Sequence, residues 1–493
     1  MLDPATLLTE SATRLAARIR GGEARARDIV DAHIEQLERA NPRLNAVVET
    51  RFAEARAEAD AADVRARAGA PAGPLDGVPC TIKECFRLTG MPNTSGLVAR
   101  RGIVARDDAT TVARLRAAGA VPLGVTNTSE LCMWMESDNR VYGRTGSAHD
   151  PTRTAGGSSG GEGAIVGAGA SPFGLGSDVG GSIRMPAFFN GVFGHKPTGG
   201  LVPNSGQYPV ANPGPMERYV VTGPLARRAE DLFPLLRILA GPDGLDGGAR
   251  ALSLGDPSHV DLRGLVVLDV REKIAWPVSD ELLAAQERAA WLLAARGAKV
   301  KRVRLPRLSS GLEIWSAAMS AGGGASFAEL LGDGRAVRAA PELARWLAGR
   351  SPHTLPSIGL VALEKATKLL GERNLRALTL GRELKAELDE LLDDRTVMLL
   401  APHATVAPKH GHALLPPVKW AYTAVLNPML LPITQVPLGL SRDGVPLGVQ
   451  VIGGEGRDHV TIAVAEELER ALGGWTMPAW LRSSAASRGR IRR

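Results

Sequence analysis

The sequence predicts an α/β protein, and three observations carry that expectation. Residues 263–306 run strand, helix, strand as GLVVLDV, ELLAAQERAAWLLAARG and KVKRVRLP. Residues 110–127, TTVARLRAAGAVPLGVTN, give the helix-to-strand half of the same unit. Alternation of this kind builds a sheet covered by helices. The 493 residues also contain no Ser/Gly linker and no internal repeat, so one large domain over residues 1–480 is expected rather than a solenoid.

Composition narrows the class. Hydrophobic residues at 44% and charged residues at 23% suit a globular chain with a large core. Aromatics are only 4%, which leaves little for stacking on single-stranded nucleic acid, and no nucleic-acid partner is expected. The net charge is +7, but five arginines and no acid fall in residues 482–493. The body is therefore close to neutral, and residues 481–493 read as a basic, disordered tail. Three cysteines cannot all pair, which suits a reducing compartment and predicts a cytoplasmic protein. Cys80 and Cys85 lack a nearby second Cys/His pair, so no zinc site is expected. No apolar run reaches signal or membrane-spanning length, so neither a leader nor a transmembrane anchor is expected.

The elements follow in order. Leu15 and Ile19, then Ile29, Val30, Ile34 and Leu37, recur at helical offsets, and the Asn41–Pro42 dipeptide predicts the helix stop. VVETRFAEARAEADAADVRARAG reads as a second helix ended by glycine. A turn-rich PAGPLDGVP leads into the short apolar run Cys80–Ile82 and Lys83. Residues 310–385 are helical and rich in Trp, Met and Leu; they either pack on the core or wall an apolar substrate channel. VMLLAPHATVAP, MLLPITQVPLGL and PLGVQVIGG read as buried strands, and DHVTIAVAEELERAL as a last helix stopped at Gly473.

The chemistry centres on Gly156–Arg184, which opens with GGSSGG and closes with GSDVGGSIR. Glycines that allow sharp turns suit either a phosphate cradle or a nucleophile's nest. A phosphate loop needs GxxxxGK[ST], whereas GGSSGG is followed by Glu162, whose charge repels phosphate. Ser182 follows Gly180–Gly181, a backbone able to aim N–H groups at one point as an oxyanion hole requires. A serine needs a base, and no histidine motif supplies one. A buried lysine can act as base when it is neutral. Lys83 sits among Val78, Ile82 and Phe86, although Glu84 could equally be its salt-bridge partner.

GVPCTIKECF around Lys83, GGSSGGEGA from Gly156 and GSDVGGSIRMPAFFNGVFGHKPTG from Gly176 together resemble the amidase signature family. TNTSELCMWMES and HATVAPKHG are similar to its fatty-acid amide branch. The resemblance extends from RIRGGEARARDIVDAHIEQLERANPRLNAVV to DHVTIAVAEELE. It implies the amidase-signature fold, a large mixed central β-sheet flanked by helices on both sides. It also implies a Ser–cisSer–Lys triad, with Ser182 as nucleophile and Ser158, after a cis peptide from Gly157, as the bridge. Lys83 is then the base. Backbone N–H groups of Val179, Gly180, Gly181 and Ser182 would form the oxyanion hole. Cys132 and Met133 would contact substrate, while Ser159, Asp178 and Arg184 would brace the loop. The implied reaction is hydrolysis of a carboxamide, with an apolar acyl or aryl group, to acid and amine or ammonia, without metal or organic cofactor. A small-amide amidase, an amidotransferase subunit and a non-catalytic binding subunit are the alternatives. Assembly is left open between a single chain and a homodimer.

Overall fold

The computed structural model describes residues 3–211, 213–368, 371–412 and 418–482. All but the first two residues of the expected basic tail lie outside the described residues. Among them, eleven strands form one mixed sheet. The first part of the chain supplies β1 (Val47–Thr50), β2 (Pro79–Lys83) and β3 (Val121–Thr126). A separate two-residue hairpin follows, β4 (Asp138–Asn139) with β5 (Gly143–Arg144). Then come β6 (Phe173–Asp178), β7 (Phe193–Lys196) and β8 (Val221–Ala226). The last group is β9 (Val266–Val270), β10 (Lys299–Val303), β11 (Thr396–Leu400), β12 (Ile433–Leu440) and β13 (Pro446–Gly453).

The strand order is β1-β3-β2-β6-β8-β7-β12-β13-β11-β9-β10. Pairing is parallel for β3 with β2, β2 with β6, β11 with β9 and β9 with β10, and antiparallel elsewhere. Every residue of β2, β3, β6, β8 and β13 is buried. Successive side chains point to opposite faces, so helices must cover the sheet on both sides. At the edge, β10 reads KVKRV and is exposed from Lys299 to Arg302. Charges on an edge strand discourage pairing with another chain.

Two readings of the helices are corrected by the structure. VVET is strand β1, not the start of a helix, because Val47, Glu49 and Thr50 find partners at Thr126, Val125 and Gly124 on β3. The helix begins only at Phe52 and runs to Arg67. Likewise Asn41–Pro42 does not end its helix, which runs Ala26–Leu44 with Pro42 inside its last turn. The stop comes from Asn45 in the left-handed conformation at φ 49°, locked by the Asn41 side chain. Asn41 Oδ1 accepts from the N–H groups of Ala46 and Val47 at 2.7 and 2.9 Å. The last helix, Asp458–Leu472, ends at Gly473 as its glycine predicts.

Residues 311–391 are helical, with Gly311–Ala321, Phe327–Leu331, Ala339–Leu347, Leu355–Lys368 and Gly371–Leu391. The first of them reaches the loop that follows β6 through Trp315. Because β2 and β6 are parallel neighbours, Lys83 and Asp178, their final residues, emerge on the same side of the sheet. In open α/β sheets this carboxyl edge is where a ligand meets loops from several strands.

Candidate active site

Lys83 ends β2 and is fully buried. Its Nζ donates to Ser158 Oγ at 2.7 Å and to Ser177 Oγ at 3.0 Å. Glu84 is not its ion-pair partner. That carboxyl turns away and accepts from the N–H groups of Thr94 and Ser95, and from the hydroxyls of Thr94 and Tyr142. Burial pushes Glu84 up to about 7, against the pull of these hydrogen bonds.

Ser158 follows a cis peptide bond from Gly157 and stands just before the helix Gly160–Gly167. Its carbonyl accepts from Ser137 Oγ at 2.9 Å. A Cβ on Gly157 would lie 2.4 Å from the Trp134 carbonyl oxygen, so only glycine permits the approach of these two segments. Ser159 ties the segment to β6. Its N–H donates to the Ser182 carbonyl at 3.2 Å, and its hydroxyl to the Ser177 carbonyl at 3.3 Å.

Ser182 lies in the turn between β6 and the helix Arg184–Asn190. Gly181 has φ 118°, and a Cβ there would sit 2.1 Å from Thr423 Oγ1. Glycine is therefore required by both conformation and space. Asp178 shapes this turn, accepting from the N–H groups of Gly181 at 2.8 Å and Ile183 at 3.1 Å. With the Gly181 N–H so occupied, those of Val179, Gly180 and Ser182 have no partner among the described residues. Asp178 is itself held by Arg184 through Nε at 3.0 Å and a terminal nitrogen at 2.9 Å. Burial alone would raise the Asp178 carboxyl, but the Arg184 guanidinium holds it well below the usual carboxylate range. Asn427 and Gln450 take two more of the Arg184 donors at 2.6 and 2.9 Å.

Residues the sequence did not single out complete the site. Ser177 is the second acceptor of Lys83. Trp315 Nε1 donates to the Val179 carbonyl at 2.8 Å, and Thr423 Oγ1 to the Gly180 carbonyl at 2.8 Å, so both clamp the turn from above. Trp315 and Trp420 meet edge to face with centroids 4.8 Å apart. Two adjoining cavities of about 400 and 450 Å³ share Ser182, Cys132, Met133, Val179 and Trp315. One extends towards Tyr208, Phe327 and Leu330, the other towards Trp134, Leu312 and Ala377. The substrate-contact residues expected from the sequence thus stand beside Ser182.

Glu162, which weighed against phosphate, is buried beneath the site. It accepts from Thr81 Oγ1 at 2.6 Å and Thr126 Oγ1 at 2.8 Å. Burial raises its carboxyl from the ordinary 4.5 to about 8, against the pull of both hydroxyls and Lys83. The folded chain thus keeps a proton that the unfolded chain releases, so stability falls as pH rises from about 4.5 towards 8. Glu162→Gln is expected to flatten that slope. Thermal melts of both proteins at steps through the window check it; parallel slopes would contradict a protonated Glu162.

Fold and site together describe an α/β protein with two serines and a lysine gathered at the carboxyl ends of its strands. The Amidase family model matches residues 28–462. Human fatty-acid amide hydrolase 2 is 44% identical over 488 residues, covering 96% of this chain and 91% of that protein. Fatty-acid amide hydrolase 2-B of Danio rerio is 45% identical over 489 residues, with 96% and 91% covered. Among solved structures, 6-aminohexanoate cyclic dimer hydrolase superposes with a TM-score of 0.81 at 26% identity, covering 98% of this chain and 100% of that one. The chain belongs to the amidase family and is an amide hydrolase. No helix among the described residues is long and apolar enough to cross a membrane.

Proposed function

We propose that this amidase cleaves the amide bond of a substrate with an apolar acyl or aryl group through an acyl-enzyme on Ser182. The observation that carries the reading is the 2.7 Å hydrogen bond from Lys83 to Ser158, buried beside a serine that opens into two apolar cavities. Lys83 draws the Ser158 proton while Ser158 draws that of Ser182. Ser182 Oγ attacks the amide carbonyl. The unpartnered N–H groups of Val179, Gly180 and Ser182 receive the developing oxyanion, which each such donor typically stabilises by about 3–4 kcal/mol. The proton returns through Ser158 to the leaving amine, and water releases the acid by the same path reversed. Gly181 serves instead to hold the turn on Asp178.

The fatty-acid amide reading rests on the similarity to fatty-acid amide hydrolases together with the cavity walls. Trp315, Met319, Phe327, Leu330, Leu360 and Leu363 come from residues 310–385, so that helical region forms the wall of the acyl channel. Burying an alkyl chain there is worth about 0.8 kcal/mol per methylene. A fluorophosphonate probe is expected to label the chain once, at Ser182, and to leave Ser182→Ala unlabelled. In a series of primary amides from acetyl to long acyl chains, kcat/KM is expected to climb with length. Labelling of Ser182→Ala would remove the nucleophile, and a flat length profile would remove the acyl channel.

A further inference from the structure

Beside the acyl channel lies a chamber that the hydrolysis does not use. This cavity of about 670 Å³ is lined in part by Arg87, Arg100, Arg106, Asp107 and Gln207. It shares Gln207, Tyr208 and Val210 with the cavity that reaches Ser182, so the two adjoin at the Tyr208 end of the channel. Their linings differ in kind. Met319, Phe327 and Leu330 wall the channel, whereas three arginines and a single acid, Asp107, line the chamber among the described residues.

The chamber is short of acceptors. Arg87 Nε, Arg100 Nε and Gln207 Nε2 are buried and have no hydrogen-bond partner among the described residues. All three are donors, and buried donors are ordinarily paired. Gln207 as a whole is only 6% exposed. The acids nearby do not meet the need. Asp107 takes a terminal nitrogen of Arg87 at 2.8 Å, and Asp333 stands 3.7 Å from a terminal nitrogen of Arg100. The Arg100 guanidinium lies over the Tyr208 ring, 3.6 Å from its centroid, at the junction of chamber and channel. The Arg87 N–H donates to the Gly206 carbonyl at 2.9 Å and the Tyr208 N–H to the Cys85 carbonyl at 2.8 Å, which holds Arg87 and Gln207 on neighbouring stretches of backbone.

Granted Ser182 as nucleophile and the adjoining cavity as its acyl channel, we infer that the chamber is a carboxylate site. The substrates it selects are amides whose acyl chain ends in a carboxylate, the monoamides of long α,ω-dicarboxylic acids. Planar guanidinium groups and an amide donor match the two oxygens of a carboxylate. An apolar chain fills the channel between the reacting amide and that carboxylate, so its length is measured from both ends. A carboxylate that stops short is stranded in the apolar cavity without a partner, which is unfavourable. The chamber therefore selects both the charge and the minimum length of the acyl group.

The test measures kcat/KM for straight-chain monoamides from succinic to hexadecanedioic acid, each against its methyl ester. Short acids are expected to react more slowly than their esters and long acids about tenfold or more faster, so the ratio crosses one along the series. In Arg87→Met and in Arg100→Met the long-chain ratio should fall towards one. That ratio compares two substrates on one preparation, so a loss of stability does not move it. Should neither variant fold, the crossing in the parent chain decides alone. Calorimetric binding to Ser182→Ala should show the same preference without turnover, which separates the chamber from the choice of nucleophile. Esters preferred at every length, acids preferred even at the shortest, or a ratio unchanged in both arginine variants would overturn the inference.

Discussion

Lys83→Met is expected to lower kcat/KM for amide hydrolysis by about 100- to 10,000-fold, the range of a lost general acid–base group. Methionine keeps the unbranched stem that fills the end of β2, so the packing around Val78, Ile82 and Phe86 should survive. What disappears is the amine that binds both Ser158 and Ser177. Two buried hydroxyls then lose a partner, at a cost of roughly 1–3 kcal/mol each. That is a stability effect, and denaturant melts would measure it separately. The rate effect has its own signature. With the base gone, Ser158 has nowhere to pass the proton taken from Ser182, so acylation by an amide should slow in single-turnover measurements. Ser182 should still react with a fluorophosphonate, at a reduced rate, because its turn is held by Asp178 rather than by Lys83. Retention of more than about a tenth of wild-type kcat/KM would remove Lys83 from the mechanism.

Much of this was legible in the residues, and what was not shares a cause. The β-α-β unit at 263–306 appears in the structure as β9, the helix Asp280–Ala295 and β10, because local periodicity and a glycine stop specify it. Lys83 at the end of an apolar run and Ser182 after paired glycines were visible as local patterns. That they share one site followed from the family resemblance and from no local pattern, since it depends on β2 pairing with β6, with Ile82 opposite Leu175. Ser177 escaped notice for that reason: nothing local distinguishes it from any serine near a strand end. Trp315, Thr423, Asn427 and Gln450 reach the site from elements more than 100 residues away. The misread VVET shows the same limit. Its neighbours favour a helix, and only a strand already in the sheet makes it β1. Glu84 shows that adjacency in sequence does not make an ion pair, because the chain turns after β2 and its carboxyl is taken by Thr94, Ser95 and Tyr142.

Arg184→Met is expected to be the most destabilising single change in the site, at about 3–5 kcal/mol, because it strands a charge instead of removing a pair. Asp178 and Arg184 are both fully buried, and the guanidinium makes two bonds to the carboxylate. Without it, Asp178 keeps its bonds from Gly181, Ile183 and Asn427 but loses both guanidinium bonds, and the buried Lys196, which makes no hydrogen bond to it, is the cation left to act on it. The pH dependence identifies the cause. In the parent chain the carboxyl is depressed, so its contribution is present above its ordinary 3.8 and is lost only as pH falls below that. In the variant the unpaired carboxyl is raised by burial, so stability is lost as pH rises. The gap between parent and variant should therefore widen from about pH 5 to pH 7 in urea melts. Asp178→Asn in the same chain should recover part of the loss, since a neutral amide oxygen still accepts from the Gly181 N–H without needing a cation. It should not recover full activity, because the turn loses the bond that fixes Ile183 beside Ser182. A gap that is constant with pH, or a double variant no more stable than Arg184→Met alone, would mean that Arg184 acts by packing and not by charge.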